Sequence, residues 1–196
     1  MNPKTIIFIG RSGSGKGTQV KLLSDFLSQN EPPHILHLEA GTKFREFISG
    51  KTLSSNLAKE IADTGGLQPE FLSIWAWTEQ LVNNITIETT LFIDGTPRRI
   101  TEAKVLDAAL DFYSRLDVDI VYINISRENA IQRMKKRGRH DDVEHSDVIA
   151  RLDWFDEEVS IVLDHYRSHK SYRFHEIDGN NDPETVHKEI VRSLFS

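Results

Sequence analysis

The chain has 196 residues, which is enough for one full α/β domain and too few for two ordinary ones. Its net charge of −6 argues against long nucleic acid as a partner, because binding a phosphate backbone requires an excess of basic residues. The absence of cysteine excludes disulfides and thiolate metal sites. The apolar run at residues 5–9 is too short for a signal peptide or a membrane span, so we expect a cytoplasmic protein without a membrane partner.

Five short runs of β-branched or aromatic residues alternate with longer segments of helical spacing. The predicted strands are residues 4–9, 34–38, 90–94, 119–125 and 172–177. The clearest helical segments are residues 15–28 and 99–114. Strands that alternate with helices pair in parallel through crossovers, so the sequence predicts an α/β protein whose sheet carries helices on both faces.

Two stretches interrupt this alternation. Residues 39–89 are too many for one crossover helix and are predicted to hold several helices, with breaks at Gly50, Gly65-Gly66 and Pro69. Residues 127–151 form a charged run that is interrupted at Gly138. Ligands bind outside the carboxyl ends of parallel strands, where such connections emerge. We therefore expect both stretches to form mobile flaps beside a ligand.

The strongest motif is Gly10-x-x-x-x-Gly15-Lys16, which follows an apolar strand and opens an amphipathic helix. Glycines allow the backbone to turn successive N–H groups inward as an anion nest, and the helix N-terminus adds its positive dipole. Lys16 places a point charge at the outer phosphates. Because strand, spacing, lysine and helix occur together, the motif predicts a loop that holds the phosphates of ATP.

The loop departs from its common form because Gly17 stands between Lys16 and Thr18. Residues 13–19, Gly-Ser-Gly-Lys-Gly-Thr-Gln, resemble the phosphate loop of adenylate kinases and related nucleoside monophosphate kinases. Further fragments resemble that family in its own order along most of the chain. They are Ala-Gly-Thr-Lys-Phe-Arg at residues 40–45, Gly-Gly-Leu-Gln-Pro-Glu at residues 65–70, Asp-Gly-Thr-Pro-Arg at residues 94–98, the arginine-rich residues 133–152 and Asp-Gly-Asn-Asn at residues 178–181.

The resemblance implies a P-loop NTPase fold in which a five-stranded parallel sheet, flanked by helices, carries a helical flap for a nucleoside monophosphate and a short lid. Residues 1–196 would form a single domain with its core in residues 1–38, 70–137 and 143–196. The flap would be residues 39–69, and the lid would be residues 138–142, without the cysteines that a zinc-bearing lid needs. The resemblance further implies a monomer that transfers the γ-phosphoryl group of ATP to a nucleoside monophosphate.

Phosphoryl transfer to a phosphate needs no general base, because the acceptor oxygen is already largely ionised at neutral pH. The task is to hold two polyanions in line and to neutralise the transferring group, which suits the planar and permanently charged arginine fork. The catalytic residues implied by the resemblance are Lys16, Arg98, Arg137, Arg139 and Arg151. Asp94, which ends an apolar strand, would hold Mg²⁺ through water.

The resemblance also divides the predicted site between its two nucleotides. ATP would be bound by Gly13, Ser14, Gly15, Lys16, Gly17, Thr18, Arg133, Arg137 and Asn181. The acceptor monophosphate would be bound by Ala40, Gly41, Arg45, Gly66, Leu67, Gln68, Gly95, Arg98, Glu102, Arg139 and Arg151. Arg45 and Arg98 would grip the acceptor phosphate, and Arg133 would lie against the adenine of ATP. Arg137, Arg139 and Arg151 would close over the transferring group.

Three positions near the acceptor base depart from the adenylate kinase pattern. Ala40 replaces a threonine and matches the uridylate and cytidylate kinases, Thr96 replaces a phenylalanine, and Glu102 replaces a glutamine that reads the adenine edge. An ionised carboxylate only accepts hydrogen bonds, so Glu102 would favour the amino group of adenine or cytosine. Because the resemblance over the whole chain is to adenylate kinases, AMP ranks first as the acceptor. A UMP/CMP kinase is the alternative, and GMP stays open.

Other functions fit the residues less well. A P-loop kinase for a small metabolite is disfavoured by the long flap with Arg45 and by residues 94–98. A nucleotide-binding regulator without catalysis is disfavoured because Lys16, Asp94 and the lid arginines are retained. A GTPase switch is disfavoured because the sequence has no Asn-Lys-x-Asp motif for guanine.

Overall fold

The computed structural model describes residues 3–29, 34–138 and 145–195 of the chain. Its strands are β1 (Thr5–Ile9), β2 (Ile35–Glu39), β3 (Thr90–Asp94), β4 (Val118–Asn124) and β5 (Tyr172–Asp178). Each predicted strand is confirmed, and no strand end differs from its predicted position by more than one residue. Within the described ranges the strands form one five-stranded sheet in the order β2-β3-β1-β4-β5, and every neighbouring pair is parallel.

Helices connect the strands and cover both faces of the sheet. They are α1 (Lys16–Leu27), α2 (Ala40–Ile48), α3 (Leu53–Asp63), α4 (Glu70–Asn84), α5 (Ile100–Phe112), α6 (Arg127–Arg137), α7 (His145–Trp154), α8 (Ser160–Ser168) and α9 (Pro183–Phe195). A π-helical segment, Phe155–Val159, joins α7 to α8. The two clearest helical predictions are confirmed as α1 and α5. In the part of the chain that the structure describes, no helix is both long and apolar enough to cross a bilayer.

The central strand β1 is buried at every position, as expected for a parallel sheet that is covered on both faces. Successive side chains of a strand point to opposite faces. Ile7 and Ile9 accordingly join one core, which is completed by residues of α4, α5 and α8. Ile6 and Phe8 join the other core, which is completed by residues of α1 and α9. The sheet is thus held between two apolar layers, which leaves its carboxyl edge available for a ligand.

The long interval between β2 and β3 contains α2, α3 and α4, which confirms the prediction of several helices. The breaks between these helices fall at the predicted glycines and proline. Helix α3 begins after Thr52, whose side-chain oxygen accepts a hydrogen bond from the backbone N–H of Ser55. Helix α2 begins directly after β2 ends, so α2 and α3 follow from the carboxyl edge of the sheet.

Helices α6 and α7 pack against each other through a small apolar core. It consists of Ile125, Ala130 and Met134 on one side and Val148 and Leu152 on the other. Gly138 ends α6 in the left-handed conformation, with φ of 62°. The rest of the predicted lid, residues 139–142, lies outside the described residues.

Candidate active site

A cavity of about 1950 Å³ opens at the carboxyl ends of the strands. It is bordered by the loop after β1, by α2 and α3, by the loop after β3 and by α7. The connection from β1 leads to β2 on one side of the sheet, and the connection from β3 leads to β4 on the other side. Ligands of open α/β sheets bind at the carboxyl edge where the connections diverge in this way. A pocket for one small ligand encloses about 300–1,000 Å³, and this cavity therefore has room for two.

The loop of residues 10–15 forms one wall of the cavity. Gly13 has φ of 82°, and a Cβ atom there would lie 2.8 Å from the carbonyl oxygen of Ala130. Both the backbone conformation and the close approach to α6 therefore require glycine. Gly15 is the N-cap of α1, so the unpaired N–H groups of the first helical turn stand at the cavity. This arrangement provides an anion-binding helix N-terminus.

Lys16, the first residue of α1, folds back over the loop. Its Nζ donates to the carbonyl oxygens of Gly10, at 2.7 Å, and Arg11, at 3.2 Å. These contacts hold the ammonium group above the loop, on the side that faces the cavity. An anionic group bound in the loop would compete with the two carbonyl oxygens for this ammonium group.

Asp94 ends β3 and is largely buried beside the first turn of α1. A Cβ atom on Gly17 would lie 3.9 Å from its Oδ2, and Thr18 of the same turn also lines the cavity. A carboxylate and a hydroxyl are oxygen ligands of the kind that Mg²⁺ prefers, and this ion keeps several of its waters. Within residues 3–29, 34–138 and 145–195, no group of three or more His, Cys, Asp or Glu side chains is placed to hold a metal ion. One carboxylate and one hydroxyl at the cavity fit a Mg²⁺ ion that is bound mainly through water and a ligand's phosphates.

Arg45 reaches from α2 toward another part of the cavity. One of its terminal nitrogens donates to Thr42 Oγ1 at 2.6 Å and to Glu39 Oε1 at 3.4 Å. Glu39 ends β2 beside Asp94 in the neighbouring strand, and both carboxylates line the cavity. The ion pair between Arg45 and Glu39 is half-exposed and therefore weak. A phosphate could therefore displace the Glu39 carboxylate from Arg45 with only a small loss of favourable free energy.

Arg98 lies in the cavity wall just after β3. Its Nε donates to the carbonyl oxygen of Gly95 at 2.8 Å, and its guanidinium lies over the indole of Trp154, 5.3 Å from the ring centroid. Burial lowers the pKa of the Arg98 guanidinium, and the carboxylates of Glu102 and Asp94 oppose that shift. Arginine stays charged despite such shifts, so the site holds an oriented and partly desolvated cation.

Glu102 is predicted to contact the acceptor base, and the structure places it elsewhere. It is 1% exposed and does not line the cavity. Its Oε2 accepts hydrogen bonds from Thr96 Oγ1 at 2.9 Å and from the backbone N–H of Arg98 at 3.0 Å. Its Oε1 is also buried and has no hydrogen-bond partner among the described residues. Two donors of the loop after β3 thus hold the carboxylate inside the protein, where it supports the cavity wall.

The remaining arginines come from α6 and α7. Arg133 donates to the carbonyl oxygens of Asn180, at 3.2 Å, and Asn181, at 3.1 Å, which ties α6 to the loop before α9. Arg137 lies one turn further along α6 and lines the cavity. Arg151 of α7 is largely buried, and its Nε donates to the carbonyl oxygen of Asp147 at 3.4 Å.

The structure brings most of the predicted site residues to this one cavity. Those that line it are Gly13, Ser14, Gly15, Lys16, Gly17, Thr18, Ala40, Gly41, Arg45, Gly66, Leu67, Gln68, Asp94, Gly95, Arg98, Arg133, Arg137, Arg151 and Asn181. Glu102 is the exception within the described ranges. Arg139 lies outside the described residues, so its contacts stay a prediction.

The π-helical segment and Arg11 also contribute to the site, and neither contribution was predicted from the sequence. The guanidinium of Arg11 donates to Asp156 Oδ1 at 3.1 and 2.6 Å and lies 4.9 Å from the ring centroid of Phe155. These contacts join the phosphate loop to residues 145 positions away in the chain. π-Helical segments occur frequently at functional sites, but the sequence carries no local signal for one here. Trp154, which precedes the segment and lines the cavity, was missed for the same reason.

Comparison with known proteins agrees with this geometry. The sequence model for the family described as adenylate kinase matches residues 8–171. The adenylate kinase of Nocardia farcinica is 31% identical over 191 residues, which cover 96% of this chain and 98% of the relative. The adenylate kinase of Corynebacterium urealyticum is 32% identical over 190 residues, with 96% and 98% covered. Adenylate kinase 1 of Nostoc sp. is 27% identical over 191 residues, with 97% and 98% covered. The chain therefore belongs to the adenylate kinase family.

Proposed function

We propose that the protein is an ATP-dependent nucleoside monophosphate kinase that transfers the γ-phosphoryl group of ATP to AMP and releases two molecules of ADP. The observation that carries this proposal is a single cavity lined both by a phosphate-binding loop and by arginines of α2, α6, α7 and the loop after β3. Two polyanions repel each other in water. Fixed cations on several sides of one cavity fit a reaction that must bring two phosphates together.

In the proposed reaction, an oxygen of the acceptor phosphate attacks the γ-phosphorus of ATP. A new O–P bond forms as the bond between the γ-phosphorus and the β,γ-bridging oxygen breaks, and ADP leaves with that electron pair. No side chain has to take a proton, because the acceptor phosphate is largely ionised at neutral pH. Lys16 and the arginines balance the negative charge on the transferring group. Mg²⁺ bound to the phosphates would add to this charge neutralisation, and Asp94 would hold it through water.

The roles that we propose for the individual groups are those implied by the family resemblance, and the position of these groups at one cavity supports them. The phosphate loop with Lys16 would hold ATP, and Arg133 would lie beside the adenine. Arg45 and Arg98 would hold the acceptor phosphate. Residues 39–69 would act as the acceptor flap, and residues 138–142 would act as the lid. The roles of Arg137 and Arg151 would be to cover the transferring group.

The names of the relatives support AMP over CMP and UMP. The family resemblance implies a monomeric enzyme, and we propose that this protein acts as a monomer. We place its activity in the cytoplasm, where ATP and nucleoside monophosphates are both substrates of metabolism.

A coupled assay of ADP release tests this function directly. The protein is supplied with ATP, Mg²⁺ and, in separate reactions, AMP, CMP, UMP, dCMP or GMP. We expect AMP to give the highest kcat/KM, excess EDTA to stop turnover and added Mg²⁺ to restore it. Absence of turnover with every monophosphate would contradict the proposed function. A higher kcat/KM for CMP or UMP would contradict the choice of AMP.

The position of Glu102 leads to a prediction about base preference. Because its carboxylate is buried behind the wall, Glu102→Gln should change the ratio of kcat/KM for AMP and CMP by less than about twofold, since the amide oxygen still accepts both hydrogen bonds. Glu102→Leu leaves the Thr96 hydroxyl and the Arg98 N–H without an acceptor, so we expect a loss of about 1–3 kcal/mol in the free energy of unfolding. Kinetics with both acceptors and urea denaturation measure the two effects. A tenfold shift of the ratio in Glu102→Gln would show that this side chain reads the base after all.

A further inference from the structure

We propose that Trp154 is a positioning residue for the acceptor half of the site. The face of its indole supports the guanidinium of Arg98, and its N–H holds the turn that ends the acceptor flap. This inference rests on the proposed function, which gives Arg98 and the flap their part in acceptor binding. In this proposal, Trp154 links Arg98 to the acceptor flap.

The position of Trp154 follows from the spacing of α7. Asp147, Arg151 and Trp154 stand four and three residues apart, and such spacing places side chains on one face of a helix. All three line the cavity. This face of helix α7 therefore borders the cavity, and Trp154 is the last residue of the helix.

The first contact of the indole is with Arg98. The guanidinium lies 5.3 Å from the indole centroid, and tryptophan is the ring that attracts a cation best. The Nε of Arg98 is bonded to the carbonyl oxygen of Gly95. These two contacts fix the plane of the guanidinium without using its two terminal nitrogens as donors. A planar fork of this kind binds phosphate through two parallel hydrogen bonds.

The second contact is with the flap. Trp154 Nε1 donates to the carbonyl oxygen of Gly65 at 3.3 Å, across 89 positions of sequence. Gly65 has φ of 67°, and a Cβ atom there would lie 2.9 Å from the Cα and the carbonyl oxygen of Asp147. The turn after α3 is thus packed backbone against backbone on α7, and the indole N–H bonds it at the same place. The next residues of this turn, Gly66 to Gln68, line the cavity.

One side chain therefore orients an arginine of the acceptor site and fixes the end of the acceptor flap. Neither contact involves the phosphate loop. Loss of a preorganised arrangement raises the cost of binding, because the groups must then be ordered when the ligand arrives. Changes at Trp154 should accordingly affect the acceptor and leave the affinity for ATP unchanged.

Steady-state kinetics of two variants separate the contacts. Trp154→Phe keeps an aromatic face and removes the N–H, so we expect the KM for AMP to rise about three- to tenfold with kcat within about twofold of wild type. Trp154→Leu removes both contacts, and we expect a further loss of about three- to tenfold in kcat/KM, part of it in kcat, as Arg98 loses its orientation. The KM for ATP should stay within about twofold of wild type in both variants, since the phosphate loop is untouched.

Phe112→Leu is the matched control. Phe112 is 80% exposed at the end of α5, contacts the ring of Tyr113 and does not line the cavity, so its replacement should leave both KM values unchanged. Wild-type kinetics for AMP in Trp154→Leu would overturn the proposal. Equal losses toward ATP and AMP, together with a lower thermal midpoint, would show a merely structural role and would also overturn it.

A spectroscopic readout keeps this test separate from the test of the proposed function. In ¹⁵N-labelled protein without nucleotide, Trp154→Phe identifies the indole N–H resonance of Trp154. Arg98→Lys should shift this resonance, because it removes the guanidinium from the face of the ring, while Lys104→Ala should not. An unchanged resonance in Arg98→Lys would overturn the proposed support of the Arg98 guanidinium by the Trp154 indole, even if the protein is an active kinase. Absence of kinase activity in the wild type would contradict the proposed function and leave this result intact.

Discussion

Lys16→Ala is expected to lower kcat for phosphoryl transfer by about a hundredfold to a thousandfold, which corresponds to ~3–4 kcal/mol of lost transition-state stabilisation. The ammonium group is held above the phosphate loop by the carbonyl oxygens of Gly10 and Arg11, so it is in place before the substrate binds. Once a bound phosphate has replaced these carbonyl oxygens at the ammonium group, charge that grows on the transferring group would meet a cation that is already in position. Alanine removes this charge and leaves the backbone of the loop in place.

The measurement is the coupled ADP-release assay under saturating ATP and AMP. Lys104→Ala, which removes an exposed lysine of α5, is the control for the loss of one positive charge and should keep wild-type turnover. The thermal midpoint of Lys16→Ala should stay close to that of the wild type, because the two lost hydrogen bonds are only partly buried. Turnover of Lys16→Ala within about twofold of wild type would refute the role given to this residue, since a preorganised charge contact has a much larger effect.

Arg98→Ala should have the second large effect, a fall in kcat/KM for AMP of about a hundredfold or more. The guanidinium is fixed by Gly95 and Trp154 and sits in a partly desolvated wall, where a contact with phosphate is stronger than in water. Arg98→Lys should recover about tenfold of this loss, because lysine supplies a charge but lacks the planar fork. The partial rescue distinguishes the charge of Arg98 from its geometry.

Binding of ATP alone, measured by calorimetry, should change little in either Arg98 variant. The control is Arg115→Lys, at an arginine that bonds the carbonyl oxygen of Thr86 near the amino ends of the strands, away from the cavity. If Arg98→Ala retained wild-type kcat/KM for AMP, the acceptor phosphate would have to be held by other residues. An equal loss of affinity for ATP would place Arg98 at the donor instead.

The strands were predictable because their burial leaves a simple pattern in the sequence. A strand covered on both faces reads as an apolar run, and β1 and β3 are such runs. The start of β4 was less clear, since Asp119 is a charged residue at a buried position. Its carboxylate is paired across the sheet with Arg173 and His175 of β5. Ionic partners from a distant strand cannot be read from the local sequence, so the burial of this carboxylate was not predictable, although Asp119 falls within the predicted strand.

The site was predictable to the extent that its residues belong to contiguous motifs. The phosphate loop and residues 94–98 each carry their own spacing, so their positions at the cavity followed from the order of the strands. The direction of a single side chain does not follow in this way. Glu102 stands near Arg98 in sequence, yet the local donors Thr96 and Arg98 turn it away from the cavity. Trp154 and Gly65 meet across 89 positions, and no motif connects them.

The hydrogen bond between Thr96 and Glu102 makes two departures from the family pattern interdependent. The family usually carries phenylalanine and glutamine at these positions. Exchange of Thr96 for phenylalanine first would remove a donor from a buried carboxylate and bring a ring against it, which is costly. Exchange of Glu102 for glutamine first keeps an acceptor of the same shape. A lineage passing between the two pairs would therefore be expected to change position 102 before position 96 when moving toward phenylalanine, and in the reverse order when moving away from it.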